Sequence, residues 1–367
     1  MWIKVREMYI KKITLSDFRN YENQIIEFDK NLNIIYGNNA QGKTNIIEAI
    51  FLSAMGKSFR AKKDKDLIRF GSSNAKIDIE FEKTDREGKI TVAIDDKKTF
   101  FVNGIKQNKI SDIIGKINVV IFTPDDIDII KEGPARRRKF IDMMISSLKP
   151  NYIHILNNYN KTLEQRNSYL RQIKYEKKSE KMLDIWDEQL SDFAEKVFLY
   201  RKNYVDKISN KIKVIHKLLT KSGKLEEEIQ IKYISTGKDK QTFLENLKKS
   251  RAIDISKGYT SVGIHRDDLI IYINNRPVNV FGSQGQQRTS VLSLKLTELN
   301  IVKEEIGESP ILLLDDFMSE LDKNRRESFL EKIEGNQVII TCTDNIENTN
   351  SYFVENGICI KNEEKNF

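Results

Sequence analysis

A chain of 367 residues, 39 % of them hydrophobic and 32 % charged, holds enough apolar side chains for a sizeable core and for one to three domains. It has no apolar run of roughly 18 residues or more, which excludes a membrane-spanning helix. Two cysteines without a C-x-x-C pair and three histidines exclude a disulfide framework and a histidine-cysteine metal centre, and the expected compartment is a reducing cytoplasm; the formal net charge is +8.

Residues 1–7 carry no motif and no apolar signal core, and are expected to be a short extension or a misassigned start ahead of Met8. From Met8 the pattern alternates. "MYIKKITL", a turn at Asp17–Tyr21, "QIIEF" and "LNIIYG" read as strands, and "TNIIEAIFLSAMG" (Thr44–Gly56) reads as a helix. "KIDIEFEK", "KITVAI" and "FFVNG" return to strand, and "VVIFTP" (Val119–Pro124) reads as a buried strand ending in a turn. The expectation for this part is a mixed sheet around one helix.

The character changes near Pro134. Tyr152, Leu156, Tyr159, Leu163, Arg166, Leu170 and Ile173 step by three and four, as do Leu183, Trp186, Leu190, Phe193, Val197 and Tyr200. Tyr204, Ile208, Ile212, Ile215 and Leu219 continue the series. The spacing predicts an antiparallel hairpin of two helices broken near "YEKKSEK", with its aromatics in the core rather than on a stacking platform. Between Arg201 and Lys224 eight Lys/Arg stand against one acid, Asp206. Such a cluster is either an electrostatic footprint for a polyanion or a solvated helix face.

Strand signals return at Ile229–Ser235 and from Tyr259 onward. "PILLLDDFMSELD" and "NQVIITCTD" contain near-continuous apolar runs, as central parallel strands of an α/β sheet do. The expected fold is therefore α/β, with one sheet domain split between the chain's two ends (1–130 and 256–367) and a helical arm inserted at 131–255.

"GNNAQGKT", Gly37–Thr44, matches G-x-x-x-x-G-K-[ST] between a strand and a helix, where backbone N–H groups and a helix N-terminus face phosphates. Gly37, Asn38, Asn39, Ala40, Gln41, Gly42, Lys43, Thr44 and Asn45 are the candidate nucleotide-binding residues. Lys43 is expected to reach the β- and γ-phosphates, and the Thr44 hydroxyl to hold Mg²⁺. In "ILLLDD" (Ile311–Asp316) the carboxylates emerge at the C-terminal edge of a buried strand. Asp315 is the second Mg²⁺ candidate, through the ion's water shell. Asp316 is the candidate base orienting the attacking water, so Lys43 and Asp316 form the catalytic expectation.

A second glycine-punctuated turn, "SQGQQR", starts at Ser283 and runs into a helix. Ser283, Gln284, Gly285 and Gln286 suit contact with a phosphate. The turn has no lysine or Mg²⁺ ligand of its own, so its expected target is the nucleotide of a second copy, making ATP the join of a head-to-head homodimer. The competing reading is a plain helix start with Ser283 as its cap.

Together "GNNAQGKT", "SQGQQR" and "LLLDDFMSELD" resemble the ABC-type ATPase head shared with SMC proteins, in which "SQGQQR" takes the place of the signature motif and "SELD" (Ser319–Asp322) that of a loop lining the dimer seam. "LSDFRNYE", "KSFRAKKDKDLIRFG", "FTPDDIDIIKEGPARRRKFID" and "GIHRDDL" narrow the resemblance to the bacterial RecF family, from Met8 to about residue 360. The resemblance implies a cytoplasmic, ATP-binding, weakly hydrolysing, DNA-stimulated ATPase that dimerises on double-stranded DNA near single-strand gaps and junctions. It also implies help in loading RecA, together with RecO and RecR. The basic arm (Lys202, Lys207, Lys211, Lys213) and the basic turn Lys57–Lys65 (Arg60, Lys62, Lys63) are the candidate DNA contacts, and the sequence carries no base-reading motif.

Three departures from the family pattern stand out. Asp316 occupies a position that usually holds glutamate, and the shorter carboxylate implies slow hydrolysis acting as a timer. Ile264 stands where proline is frequent. "IFTPDD" lacks the glutamine of a Mg²⁺-sensing loop, and Thr341 and Thr343 occupy a switch region that often carries histidine. Smaller expectations concern three basic or mixed groups. Arg19 and Arg60 reach a phosphate or pair with a surface carboxylate; Arg136–Arg138 contact DNA or the head or form an ion-pair cluster; His265–Asp268 form a hydrogen-bonded turn rather than a catalytic triad. A transporter-type ATPase subunit and a long-armed structural SMC protein are the alternatives. The basic arm argues against the first, and an arm of roughly 100 residues is too short for the second.

Overall fold

The computed structural model describes residues 8–83, 86–220, 227–317, 329, 333, 335–344 and 350–362. The proposed extension 1–7, the "SELD" loop and the lysines at 221 and 224 lie outside the described residues. In chain order the first elements are β1 (Met8–Phe18), β2 (Tyr21–Glu27), β3 (Leu32–Tyr36), α1 (Lys43–Met55), β4 (Ala75–Lys83), β5 (Arg86–Ile94), β6 (Lys98–Val102), β7 (Ile105–Gln107) and β8 (Val119–Phe122). Then come α2 (Asp128–Lys131), α3 (Pro134–Leu148), α4 (Pro150–Glu176), α5 (Leu183–Leu219), β9 (Ile229–Ile234), α6 (Lys240–Lys257), β10 (Asp268–Ile273), β11 (Arg276–Pro277), α7 (Val278–Phe281) and α8 (Gln284–Ile306). The last are β12 (Ile311–Asp315), β13 (Val338–Cys342), β14 (Asn350–Glu355) and β15 (Ile358–Lys361).

The chain divides into two compact units, 1–126 with 299–367, and 127–298. In the first unit the expected single mixed sheet is two sheets. One is antiparallel, in the order β2-β1-β4-β5-β6-β7; the other runs β15-β14-β3-β13-β12-β8 and is parallel except for β15. Helix α1 contacts strands of both, β4 and β5 in the first and β8, β12 and β13 in the second. That position explains its sequence: eleven of its thirteen residues are buried, so it is apolar on every side. β12 is buried along its whole length, as a strand covered on both faces must be.

In the second unit α4 and α5 run antiparallel. Tyr152 stacks edge-on against Tyr200, whereas Arg166, about four turns further along α4, meets Asp187, earlier in α5. At 37 residues α5 is about 55 Å long. The heptad aromatics Tyr152, Tyr159 and Tyr204 are fully buried, as expected. Arg166 is buried as completely, and it donates to Asp187 at 2.7 Å and to Asp254 and Thr260 at 2.8 and 2.9 Å, tying α4 to α5 and α6. β9, β10 and β11 form a small antiparallel sheet. Because β10 pairs with β9 over six residues, 256–298 groups with the helices, and the chain returns to the first unit at Leu299 rather than at 256.

Candidate nucleotide site

The loop between β3 and α1 is shaped by its glycines. Gly37 has φ +147°, and a Cβ there would meet the Val354 carbonyl oxygen at 2.3 Å; Gly42 has φ +117° and would meet the Asn20 amide at 2.5 Å. The loop is braced from outside: Asn20 donates to the Gln41 carbonyl at 2.7 Å, Tyr21 to the Gly42 carbonyl at 3.1 Å, and the Asn356 amide to Oε1 of Gln41 at 2.7 Å. Asn38, Asn39 and Ala40 remain exposed at its tip. Helix α1 follows Gly42 as its N-cap, with no side-chain cap and no acid in its first turn, so its leading N–H groups face the loop. Lys43, only 4 % exposed, donates to the carbonyls of Gly37 and Asn38 at 2.6 and 3.0 Å.

Sheet register brings the acidic pair to this helix start. Asp315 at the end of β12 lies opposite Thr341 on β13, and Thr341 opposite Ile35 on β3. The Thr44 hydroxyl donates to Oδ1 of Asp315 at 2.8 Å, and the Thr341 hydroxyl donates to the same oxygen at 2.8 Å. The Asp316 amide donates to Thr341 Oγ1 at 2.9 Å, and Asp316 sits at φ +46°, in the left-handed region. Burial raises the Asp315 carboxyl above the ordinary range, and the nearby Asp316 charge adds to that, against the two hydroxyl donors. A hard dication would offset that cost. The oxygen pair Thr44 Oγ1 and Asp315 fits Mg²⁺, which takes few protein ligands and fills the rest of its octahedron with phosphate and water oxygens. An open cleft of about 380 Å³ is lined by the loop, Lys43, Thr44, Asn45, Arg60 and Asp316.

Arg60 therefore belongs to the wall of this cleft. It donates to Glu48 Oε2 at 3.0 Å and to Asn45 Oδ1 at 2.5 Å. Arg19 holds the same Glu48 with two bonds of 2.9 and 2.8 Å, and Ser58 donates to it at 2.5 Å. Burial works to raise the Glu48 carboxyl, but the Arg19 and Ser58 hydrogen bonds and the Arg60 charge hold it below the ordinary carboxylate range. The carboxylate that pairs with both arginines is thus a buried one on α1, not a surface one.

The turn at Ser283 is a capping box. The Gln286 amide donates to Ser283 Oγ at 3.2 Å, and the Ser283 amide donates to Gln286 Oε1 at 2.9 Å. Ser283 caps α8 and, with Gln284, remains exposed. The cap reading thus describes the local geometry, while the hydroxyl proton of Ser283 stays available for an outside acceptor.

The basic groups separate by burial. Arg201 is 1 % exposed and donates to Asp142 at 2.8 and 2.9 Å and to Asp267 at 3.2 Å, so it leaves the surface charge of its segment. Lys202 pairs with Asp206 and Lys213 lies 3.8 Å from Glu228, both exposed pairs; Lys207 sits 4.8 Å over the Tyr204 ring, and Lys211 is half-buried. Lys62 and Lys63 are exposed. Arg136 pairs with Glu132 and Arg137 with Asp268, and Arg138 donates to the Asp267 carbonyl, which makes this run an ion-pair cluster. His265 lies 2.7 Å from the Tyr159 hydroxyl and 3.1 Å from the Thr260 carbonyl, inside a hydrogen-bonded turn. Asn20 and Tyr21 stand in the stretch "LSDFRNYE" without a role assigned from sequence, and Glu48 lies in no motif; their roles arise from contacts across the fold.

The family model described as "RecF/RecN/SMC N terminal domain" matches residues 9–362. The chain is 46 % identical over 356 residues to a DNA replication and repair protein RecF of Clostridium perfringens, covering 95 % of this chain and 97 % of the relative. It is 44 % identical over 373 residues to the RecF protein of Clostridium tetani, covering 97 % and all of the two chains. A solved structure of the recombination mediator protein RecF with ATP, in the RecFOR pathway, superposes with TM-score 0.92 at 40 % identity, covering 99 % of this chain and 100 % of that one. An Smc head domain with an extended coiled coil from Pyrococcus furiosus shares the fold, with TM-score 0.56 at 19 % identity and 96 % coverage of both chains.

Proposed function

Because the chain belongs to the RecF family of DNA replication and repair proteins, with the α/β ATPase head of the RecF/RecN/SMC group, we propose that it is an ATP-gated DNA clamp of recombinational repair. ATP binding joins two heads on duplex DNA near single-strand gaps, slow hydrolysis releases them, and the bound dimer assists RecA loading with RecO and RecR. The observation that carries the reading is the meeting of Thr44, Asp315 and Thr341 at the edge of the parallel sheet beside the buried Lys43.

The residues divide the work as follows. Loop amides and the α1 N-terminus bind the phosphates, and Lys43 leaves its carbonyl partners to pair with the β- and γ-oxygens. Thr44 and Asp315 would hold Mg²⁺, which would supply positive charge to offset that of the phosphates. Asp316 orients the attacking water, and Thr341 fixes both acids. The Ser283 hydroxyl of one copy donates a hydrogen bond to the γ-phosphate on the other. Arg60, at the cleft wall, contacts phosphate there, while Lys62, Lys63 and the lysines of α5 meet the DNA backbone without reading bases.

Anisotropy of a fluorescent gapped duplex, titrated with protein in ATP·Mg²⁺ and in ADP·Mg²⁺, tests the reading. Tighter binding with ATP by at least about tenfold supports it. Equal affinity with both nucleotides contradicts it.

A further inference from the structure

The signature turn is tied to the far end of α5 by a short polar chain. Gln286, the third residue of the capping box, donates its side-chain amide to Glu227 Oε1 at 2.9 Å. The other oxygen of Glu227 lies 3.2 Å from Nε2 of His216, in the last turn of α5, and Nδ1 of His216 lies 2.9 Å from the Ser293 hydroxyl on α8. His216 is fully buried, while the Glu227 side chain keeps 19 % of its surface exposed.

Hydrogen-bond bookkeeping fixes the orientation of these groups. A carboxylate only accepts, so the Glu227 contacts require a proton on His216 Nε2 and the NH₂ end of Gln286 toward Glu227. With its nitrogen there, Gln286 must point its oxygen at the Ser283 amide, which is the bond that closes the capping box. Burial lowers the His216 pKa below its ordinary value and so favours a neutral ring, against the opposing pull of the Glu227 carboxylate. A neutral ring protonated on Nε2 donates to Glu227 and turns an accepting Nδ1 toward the Ser293 hydroxyl, whose one proton is shared with the Thr289 carbonyl at 2.8 Å. Without Glu227 the Gln286 side-chain amide is free to rotate, and a rotamer that loses the Ser283 amide leaves the turn held by the Gln286 and Gln287 backbone amides alone.

We propose that Glu227, held by His216, is a positioning residue of the signature turn: it locks the Gln286 amide so that Ser283 presents its hydroxyl to the nucleotide of a second copy. The proposal rests on the trans role of Ser283 given above. It also links that role to α5, the helix that carries the candidate DNA-contacting lysines.

The test uses the full chain with ATP·Mg²⁺ and compares Glu227→Ala and Glu227→Gln with the unsubstituted protein and with Ser283→Arg. Three quantities are measured: melting temperature, affinity of a fluorescent ATP analogue for the single chain, and the protein concentration at which ATP doubles the mass. Positioning predicts a melting temperature within a few degrees and an ATP affinity within about twofold of the unsubstituted protein. It predicts a doubling midpoint raised about tenfold or more in Glu227→Ala, as expected for losing a hydrogen bond to a charged group. Glu227→Gln, of matching size, falls between the two because its amide oxygen still accepts one bond, and it decides the matter if the alanine variant does not fold. An unchanged midpoint in the Glu227 variants, with doubling blocked by Ser283→Arg, overturns the positioning role and leaves the trans reading intact. Doubling by Ser283→Arg, or none in the unsubstituted protein, overturns both. Parallel losses of melting temperature and ATP affinity in the Glu227 variants overturn the proposal by marking the residue as structural.

Discussion

Thr44 and Asp315, 271 positions apart in the chain, meet through a 2.8 Å hydrogen bond from the threonine hydroxyl to Oδ1 of the aspartate. The bond exists because α1 starts beside the end of β12, and because Thr341 holds the same oxygen from the neighbouring strand. It brings two hard oxygen ligands together next to Lys43, which holds the Gly37 and Asn38 carbonyls, an arrangement that a Mg·nucleotide would complete.

Lys43→Arg tests the phosphate role. The buried lysine reaches the Gly37 and Asn38 carbonyls as a compact point charge, and a planar guanidinium presents its donors in a different, fixed geometry. The expected result is a loss of ATP turnover of roughly 100-fold or more, from removal of a preorganised charge. Normal turnover would contradict the phosphate role of Lys43.

Asp316→Asn tests the base. Asparagine keeps the shape and the amide bond to Thr341 but cannot take a proton. Turnover is expected to fall about 100-fold or more while ATP binding persists, so ATP-bound dimers live longer. Single-turnover kinetics with unchanged hydrolysis would exclude the role.

Reversing Lys202, Lys207, Lys211 and Lys213 to glutamate tests the arm as a DNA surface. Each lost phosphate contact lowers the slope of log affinity against log salt by about 0.9. Binding should weaken on every sequence alike and the slope should flatten. A slope identical to that of the unsubstituted protein places the DNA surface elsewhere.

His265 sets a pH window for stability. Burial lowers its pKa to about 4 from 6.5, with the Thr260 carbonyl pulling the other way and the Arg266 and Arg138 charges adding to the fall. The unfolded chain therefore binds the proton first. The stabilisation is complete above about pH 6.5 and is lost as pH falls toward 4, by at most about 3 kcal/mol. Urea unfolding between pH 7.5 and 4.5 should show a smaller acid loss in His265→Gln than in the unsubstituted protein; equal losses would refute the assignment.

What was legible in the sequence was local. A glycine-lysine loop between strand and helix, an apolar run ending in two acids, and heptad spacing each need only a short window. Partners set by strand register were not legible. Thr341 stood out only by its place in a switch region, and its bonds to Asp315 and Asp316 depend on β13 lying beside β12. Arg166 and Arg201 read as one heptad position and one surface charge, yet both are buried among carboxylates from distant segments. Helix α6 was missed because its buried stripe, Phe243, Leu247, Ser250 and Asp254, is half polar. Its ends were nevertheless marked, by the Asp239 cap and by Gly258. The unit boundary moved to Leu299 because β10 pairs with a strand on the arm side.

The most direct test of the central claim is molar mass by light scattering, with and without ATP·Mg²⁺, on the intact chain and on Ser283→Arg. The account predicts that ATP doubles the mass and that Ser283→Arg blocks the doubling while leaving nucleotide binding in place. A mass that never changes, or a variant that still doubles, would contradict it and leave the Ser283 turn as a helix cap alone.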